Sequence, residues 1–272
     1  ENAADPSSSC AGQTAVSSSY TCSTGFTGAP SWITSTFTCV TVTTGGTYYT
    51  FLTDDIPNYN SGYFGDCDSR YESAPSGNSY NPNIISDQNY SVSIPKDPRV
   101  NGTATASTFD IVGVSTNGIA LFNNEAAPGD SLANELLTMD SGTGHPTNGG
   151  NYHYHSEPSK LTTSGSGVLI GIMKDGFPIY GPKEADNTTD PVYVANNGGN
   201  CSVARMNTEL NDGSATVAEN CQPLSTVDNF HCHTITGASI FINDFTCHYH
   251  ANSGPTYLMD NYAGDDRGTF TN

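Results

Sequence analysis

"VLIGIMKDGFPIYGP" (residues 168–182) sets an Asp-Gly pair between two β-prone runs. Asp-Gly tolerates the positive φ of a tight turn, and branched or aromatic residues on either side suit a pleated strand. The stretch therefore predicts a β-hairpin with its tip at Asp175-Gly176. The same pattern of short β-prone runs between Gly, Asn, Pro and Asp clusters extends outward over 47–52, 90–94, 108–114, 118–122, 167–173, 192–194, 239–242 and 245–250. Only 131–139 has helical character, and it is weak. The expected fold is mainly β: a single-domain sandwich or barrel-like arrangement with many loops, stabilised by disulfides. Residues 41–272 form the β domain, preceded by a Ser/Thr-rich, cysteine-containing segment, 1–40, expected to be irregular and to cover it.

Eight cysteines (Cys10, Cys22, Cys39, Cys67, Cys201, Cys221, Cys232 and Cys247) are spread along the 272 residues with no Cys-x-x-Cys pair. That spacing fits disulfides of an oxidising compartment better than a thiolate zinc site. Cys232, between two histidines, has a second reading as a metal thiolate. The chain opens at Glu1 with no charged and apolar leader, as expected of a mature secreted, extracellular protein. Four Asn-x-Ser/Thr sequons, at Asn89, Asn101, Asn187 and Asn200, would permit glycosylation there. No run approaches the roughly 18 apolar residues of a membrane helix, so no membrane insertion is expected. Eight Lys plus Arg stand against 27 Asp plus Glu, a formal charge of −19, which repels nucleic acid and anionic membranes and attracts cations.

The cation chemistry is written in histidine. Six of the seven histidines fall in three His-x-His pairs: His153/His155, His231/His233 and His248/His250. In a strand, residues i and i+2 share a face, so such a pair aims two imidazoles at one ion while the residue between faces away. A further His precedes two of the pairs, giving two three-histidine sets, His145 with His153 and His155, and His233, itself of the middle pair, with His248 and His250. Three neutral imidazoles and an open position suit copper or zinc, and three plus three could hold a binuclear copper centre, whereas hard cations prefer oxygen ligands. The bland alternative is a β surface of paired aromatic and His side chains with no metal. Asp140, Asp175 and Tyr180 are candidates for supporting the ligands from behind.

The stretches "QNYSVSIPKDP", "VGVSTNGIALFNNEA", "MDSGTGHPTNGGNYHYHSEPSKL", "VLIGIMKDGFPIYGP" and "CHYHANSGPTYLMDNYAG" together resemble the YHYH-domain family of secreted proteins. The resemblance covers about residues 80–265 and implies a secreted context rather than a reaction. Cys247 stands where the family's second block has Tyr, and Ser141-Gly142-Thr143-Gly144 precedes His145 in place of the family's Cys-Gly-Gly step.

Three function classes follow. The first is a secreted copper- or zinc-binding protein using the paired three-histidine sets. The second is a metalloenzyme with the same ligands and an open coordination position. The third is a structural or self-assembling protein of an extracellular matrix or filament, which the Ser/Thr/Gly/Tyr-rich composition would suit. The chain holds no HExxH, GxSxG, P-loop, dinucleotide GxGxxG or EF-hand pattern, so those routes to catalysis or binding have no support.

Overall fold

The computed structural model describes residues 16–17, 19–107, 109, 111–162, 168–181, 193–195, 200–201, 221–223, 248–251, 258, 261–264 and 267–272. Its strands are β1 (Gly25–Thr27), β2 (Thr41–Gly45), β3 (Tyr48–Thr53), β4 (Tyr90–Pro95), β5 (Val100–Ala106), β6 (Ile111–Ser115), β7 (Ala120–Phe122), β8 (Gly144–Pro146), β9 (Tyr152–Tyr154), β10 (Leu169–Met173), β11 (Pro178–Tyr180), β12 (Tyr193–Ala195), β13 (Asn200–Cys201), β14 (Cys221–Pro223), β15 (Tyr249–His250), β16 (Asn261–Gly264) and β17 (Thr269–Thr271). Two short α-helices, α1 (Ser31–Thr34) and α2 (Leu132–Glu135), join them, the second continued by a 3-10 turn over Leu136–Thr138. The weak helical signal at 131–139 becomes that last element.

A five-stranded sheet, β1-β2-β3-β4-β17, lies against a seven-stranded one, β15-β11-β10-β6-β7-β9-β8. Ile111, Val114, Ala120 and Ile172 of the larger sheet pack on Phe51, Val92 and Ile94 of the smaller, with Ile33 and Phe37 from around α1. The larger sheet's other face buries Val112, Leu121, Ile170, Ile179, Tyr152 and Tyr154 beneath Ile56, Tyr63, Phe64 and Ile85. Burial on both faces explains why β6 and β10 read as unbroken apolar runs rather than as alternating ones. The seven-stranded sheet keeps two distinct edge strands, β15 and β8, so the arrangement is sandwich-like and the barrel alternative falls away.

Residues 25–40 are built into this framework. β1 pairs in parallel with β2, Ile33 is fully buried, and a disulfide joins Cys22 to Cys39. Cys67 is disulfide-bonded as well. The expected strand at 239–242, and most of that at 245–250, lie outside the described residues. β1, β2 and β17 escaped sequence reading because Thr and Gly dilute their apolar pattern.

The hairpin expected around Asp175-Gly176 is β10–β11, with Ile172 opposite Pro178. At its tip Gly176 has φ +90°, and a Cβ there would lie 2.7 Å from the Pro95 carbonyl oxygen. Gly176→Ala therefore meets both left-handed strain and a backbone clash. It is expected to cost about 1–3 kcal/mol, read by urea denaturation; an unchanged midpoint would refute the assignment.

Candidate metal centre

β8 and β9 form an antiparallel ladder that sets His145 directly opposite His153. β9 also runs parallel to β7, with His153 beside Ala120 and Tyr154 beside Leu121. Strand alternation then sends Tyr152 and Tyr154 into the core and His153 to the opposite face. The two phenols are anchored there: Tyr59 Oη lies 2.9 Å from Tyr152 Oη and 2.8 Å from Tyr154 Oη, and Tyr152 Oη donates to Asp140 Oδ2 at 2.7 Å. Asn117 Nδ2 donates to Tyr154 Oη at 3.1 Å. This network fixes the orientation of β9, and with it the direction of the histidines.

On the histidine face three Nε2 atoms converge. His145 Nε2 is 3.1 Å from His153 Nε2, which is 3.0 Å from His155 Nε2. Among the described residues these three form the one group of at least three His, Cys, Asp or Glu side chains able to share an ion, and all three are buried. Two ligands on zinc at about 2.05 Å and a tetrahedral angle would stand about 3.3 Å apart, so the two spacings around His153 are within a few tenths of an ångström of coordination, and all three ligand atoms lie within 4.8 Å of one another.

The Nδ1 partners decide what those Nε2 atoms carry. His153 Nδ1 lies 3.1 Å from the Asn151 carbonyl oxygen and His155 Nδ1 lies 2.7 Å from that of Asn123. Carbonyls only accept, so both rings hold their proton on Nδ1. His145 Nδ1 is 2.6 Å from Thr138 Oγ1, whose own proton is donated to the Glu135 carbonyl at 2.7 Å. That hydroxyl is left to accept, and the third ring takes the same tautomer. Three Nε2 lone pairs thus face one another with no proton between them, a repulsive arrangement that a cation reverses.

Burial also opposes protonation. It holds His145 down to about 3 and His155 to about 4, from an ordinary 6.5, and His153 well below its usual range; the neighbouring rings push His145 and His153 further in that direction. The rings are held neutral, the form that ligates metal.

A fourth donor stands beside them. Glu135 Oε2, at the end of α2, is 3.3 Å from His155 Nε2 and 4.0 Å from His145 Nε2. Its other oxygen accepts from the Ala127 N–H at 3.2 Å. Burial raises the Glu135 pKa. Glu135 and Thr138 lie one helical turn apart, so a single short element, capped where Ser131 Oγ accepts from Asn134 N at 3.3 Å, supplies both a prospective ligand and the hydroxyl that orients His145. Phe122 completes the wall, stacked on the His153 ring at 3.9 Å. Sequence reading missed all three residues. The only signal was an acidic residue in the one stretch whose sequence has helical character, ten positions before His145. Glu135→Gln keeps the shape and removes the charge; at least a roughly 10-fold loss of metal affinity is expected, measured against a chromophoric chelator.

His248 and His250 lie elsewhere, one just before and one on β15 at the far edge of the same sheet, with Nε2 atoms 3.1 Å apart. β11, β10, β6 and β7 stand between β15 and β9, so the one binuclear centre considered from sequence is not what this sheet assembles. Tyr180 lies edge-on to His248 with ring centroids 5.4 Å apart. Asp140 and Asp175 hold backbone and phenols rather than imidazoles. Asp140 accepts from Gly142 N at 2.8 Å and Gly144 N at 3.2 Å besides Tyr152, while Asp175 accepts from Tyr249 Oη at 2.5 Å and Gly264 N at 3.0 Å. The imidazole supports are instead a threonine hydroxyl and main-chain carbonyls. His231, Cys232 and His233 lie outside the described residues.

A family model described as "YHYH protein" matches residues 91–264. No curated protein and no solved structure matches the chain.

Proposed function

The chain belongs to the YHYH family, and from the geometry of its first histidine set we propose that it binds one copper or zinc ion through His145, His153 and His155, with Glu135 as the fourth donor. The observation that carries this reading is the convergence of three buried Nε2 lone pairs whose Nδ1 protons are all committed to acceptors. A proton in place of the ion between neutral rings would leave His153 or His155 with a bare Nδ1 facing a carbonyl, or would take the Thr138 hydroxyl from the Glu135 carbonyl to donate to His145 Nδ1.

Imidazole suits copper and zinc alike, and a carboxylate among three imidazoles is compatible with either. Binding, storage or delivery of the ion in a secreted protein is the role proposed. Disulfide bonding at Cys22, Cys39 and Cys67 supports an oxidising compartment, and the exposed Asn89 leaves its sequon accessible. The test is elemental analysis of the purified protein after loading with Zn²⁺ or Cu²⁺ and desalting. The wild-type chain is expected to retain an ion that His153→Ala does not hold. Equal retention by the two proteins would remove the triad from the ligand set.

A further inference from the structure

The seven-stranded sheet repeats itself. "VGVSTNGIALF" (residues 112–122) and "IGIMKDGFPIY" (residues 170–180) each run strand, turn, strand, with Asn117-Gly118 in one where Asp175-Gly176 stands in the other. Gly118 and Gly176 both have positive φ, +82° and +90°. The two hairpins meet through β6 and β10, antiparallel, with Gly171 opposite Ser115 and Met173 opposite Gly113. Reciprocal bonds cross that seam: Thr116 N donates to the Ile170 carbonyl at 2.6 Å and Lys174 N to that of Val112 at 2.8 Å. This is a local two-fold relation, and it continues outward. β9 joins β7 in parallel as β15 joins β11, with Tyr154 beside Leu121 and Tyr249 beside Ile179.

The histidine surroundings obey the same relation. His155 Nδ1 is held by the Asn123 carbonyl at 2.7 Å, and His250 Nδ1 by the Gly181 carbonyl, its counterpart, at 2.6 Å. The tyrosine between each pair is fixed by the turn residue of its own hairpin: Asn117 holds Tyr154 at 3.1 Å, and Asp175 holds Tyr249 at 2.5 Å. Phe122 flanks the first pair as Tyr180 flanks the second. With His250 held in the Nδ1–H tautomer, its bare Nε2 points at His248 Nε2, 3.1 Å away.

We propose that His248 and His250 form the nucleus of a second, separate transition-metal site, so that one chain binds two copper or zinc ions on opposite margins of a single sheet. The inference rests on reading the first triad as a metal site and extends it by the two-fold relation. At 4.7–4.9 Å per strand step, the five steps from β9 to β15 put the ions about 24 Å apart, too far to share a ligand. The second site differs from the first in its aromatic wall, a phenol replacing a phenyl.

The experiment titrates metal-free full-length protein with Zn²⁺ or Cu²⁺ alone and counts bound ions by native mass spectrometry, with circular dichroism confirming the fold of each variant. Two ions are expected for the wild type, one for His153→Ala, one for His250→Gln and none for the double variant. A wild type that binds one ion, lost in His153→Ala and kept in His250→Gln, overturns the second site and leaves the first standing. A His250→Gln variant that keeps both ions also overturns it. A wild type that binds none overturns both readings. An independent measurement needs no variant: pulsed electron resonance on the copper-loaded wild type should give a weak dipolar coupling that corresponds to about 24 Å, and an exchange-coupled pair would refute the separation.

Discussion

His153→Ala is expected to weaken metal binding at the triad by about 10²–10³-fold. Structural zinc sites gain about 10–16 kcal/mol from four ligands at neutral pH, so each contributes about 2.5–4 kcal/mol, and about 1.4 kcal/mol is tenfold in affinity. His153 is the most damaging choice because its Nε2 is the one within 3.1 Å of both other rings. The loss should also appear as stability. An ion present at a thousand times its Kd adds about 4 kcal/mol to the folded state. At roughly 2–4 °C per kcal/mol for a chain of this size, that is about 8–16 °C in Tm. Chelation should remove this increment from the wild type and a smaller one from His153→Ala. Melting curves that respond identically to chelator in the two proteins would rule out the triad as a ligand set.

Acidification of the metal-free protein should produce the second large effect. His145 is held to about 3 and His155 to about 4 by burial, against an ordinary 6.5 in the unfolded chain. Between pH 6.5 and about 4 the unfolded chain binds protons on these rings that the folded chain refuses, so the stability they allow is complete above 6.5 and falls as pH falls through that window. At about 1.4 kcal/mol per unit of separation, the rings together account for several kcal/mol. Asp175 acts with the opposite sign, as do Asp55, Asp140 and Glu135, whose carboxyls burial also raises. Burial raises Asp175 to about 6 from 3.8, so the folded chain keeps a proton that the unfolded chain releases, and stability from this group grows as pH drops from 6 toward 3.8. Urea denaturation at pH 7, 5.5 and 4.5 should show a net decline for the wild type and a steeper one for Asp175→Asn. A pH response of the wild type identical to that of a His155→Gln variant would mean that this ring is not held neutral by the fold.

Much of the site was legible because it rests on local periodicity. His-x-His in a β-prone run fixes which side chains share a face, and Tyr152 and Tyr154 lie opposite His153, as alternation requires. The Asp-Gly tip of β10–β11 was legible for a similar reason: turn chemistry is set by two adjacent residues. The flank of the triad was not. Glu135 and Thr138 reach it from a single turn of helix whose place depends on packing, and no spacing rule links a helix end to a strand so distant in contact. Asp140 and Asp175 looked like partners for imidazole because carboxylates often fill that role. The fold instead uses them to hold buried phenols and backbone N–H groups, which have no water to turn to.

The amino-acid sequence by itself determined a mainly β chain, a cation-attracting charge, and strand histidines paired on one face, because composition and period-two alternation are properties of neighbouring residues. Tertiary structure alone decided that the pairs His153/His155 and His248/His250 stand on opposite margins of one sheet, that main-chain carbonyls and Thr138 hold the triad's rings in one tautomer, and that Glu135 stands beside the triad. Each of these depends on strand order and on which backbone atoms come to lie beside a ring, and long-range packing fixes both.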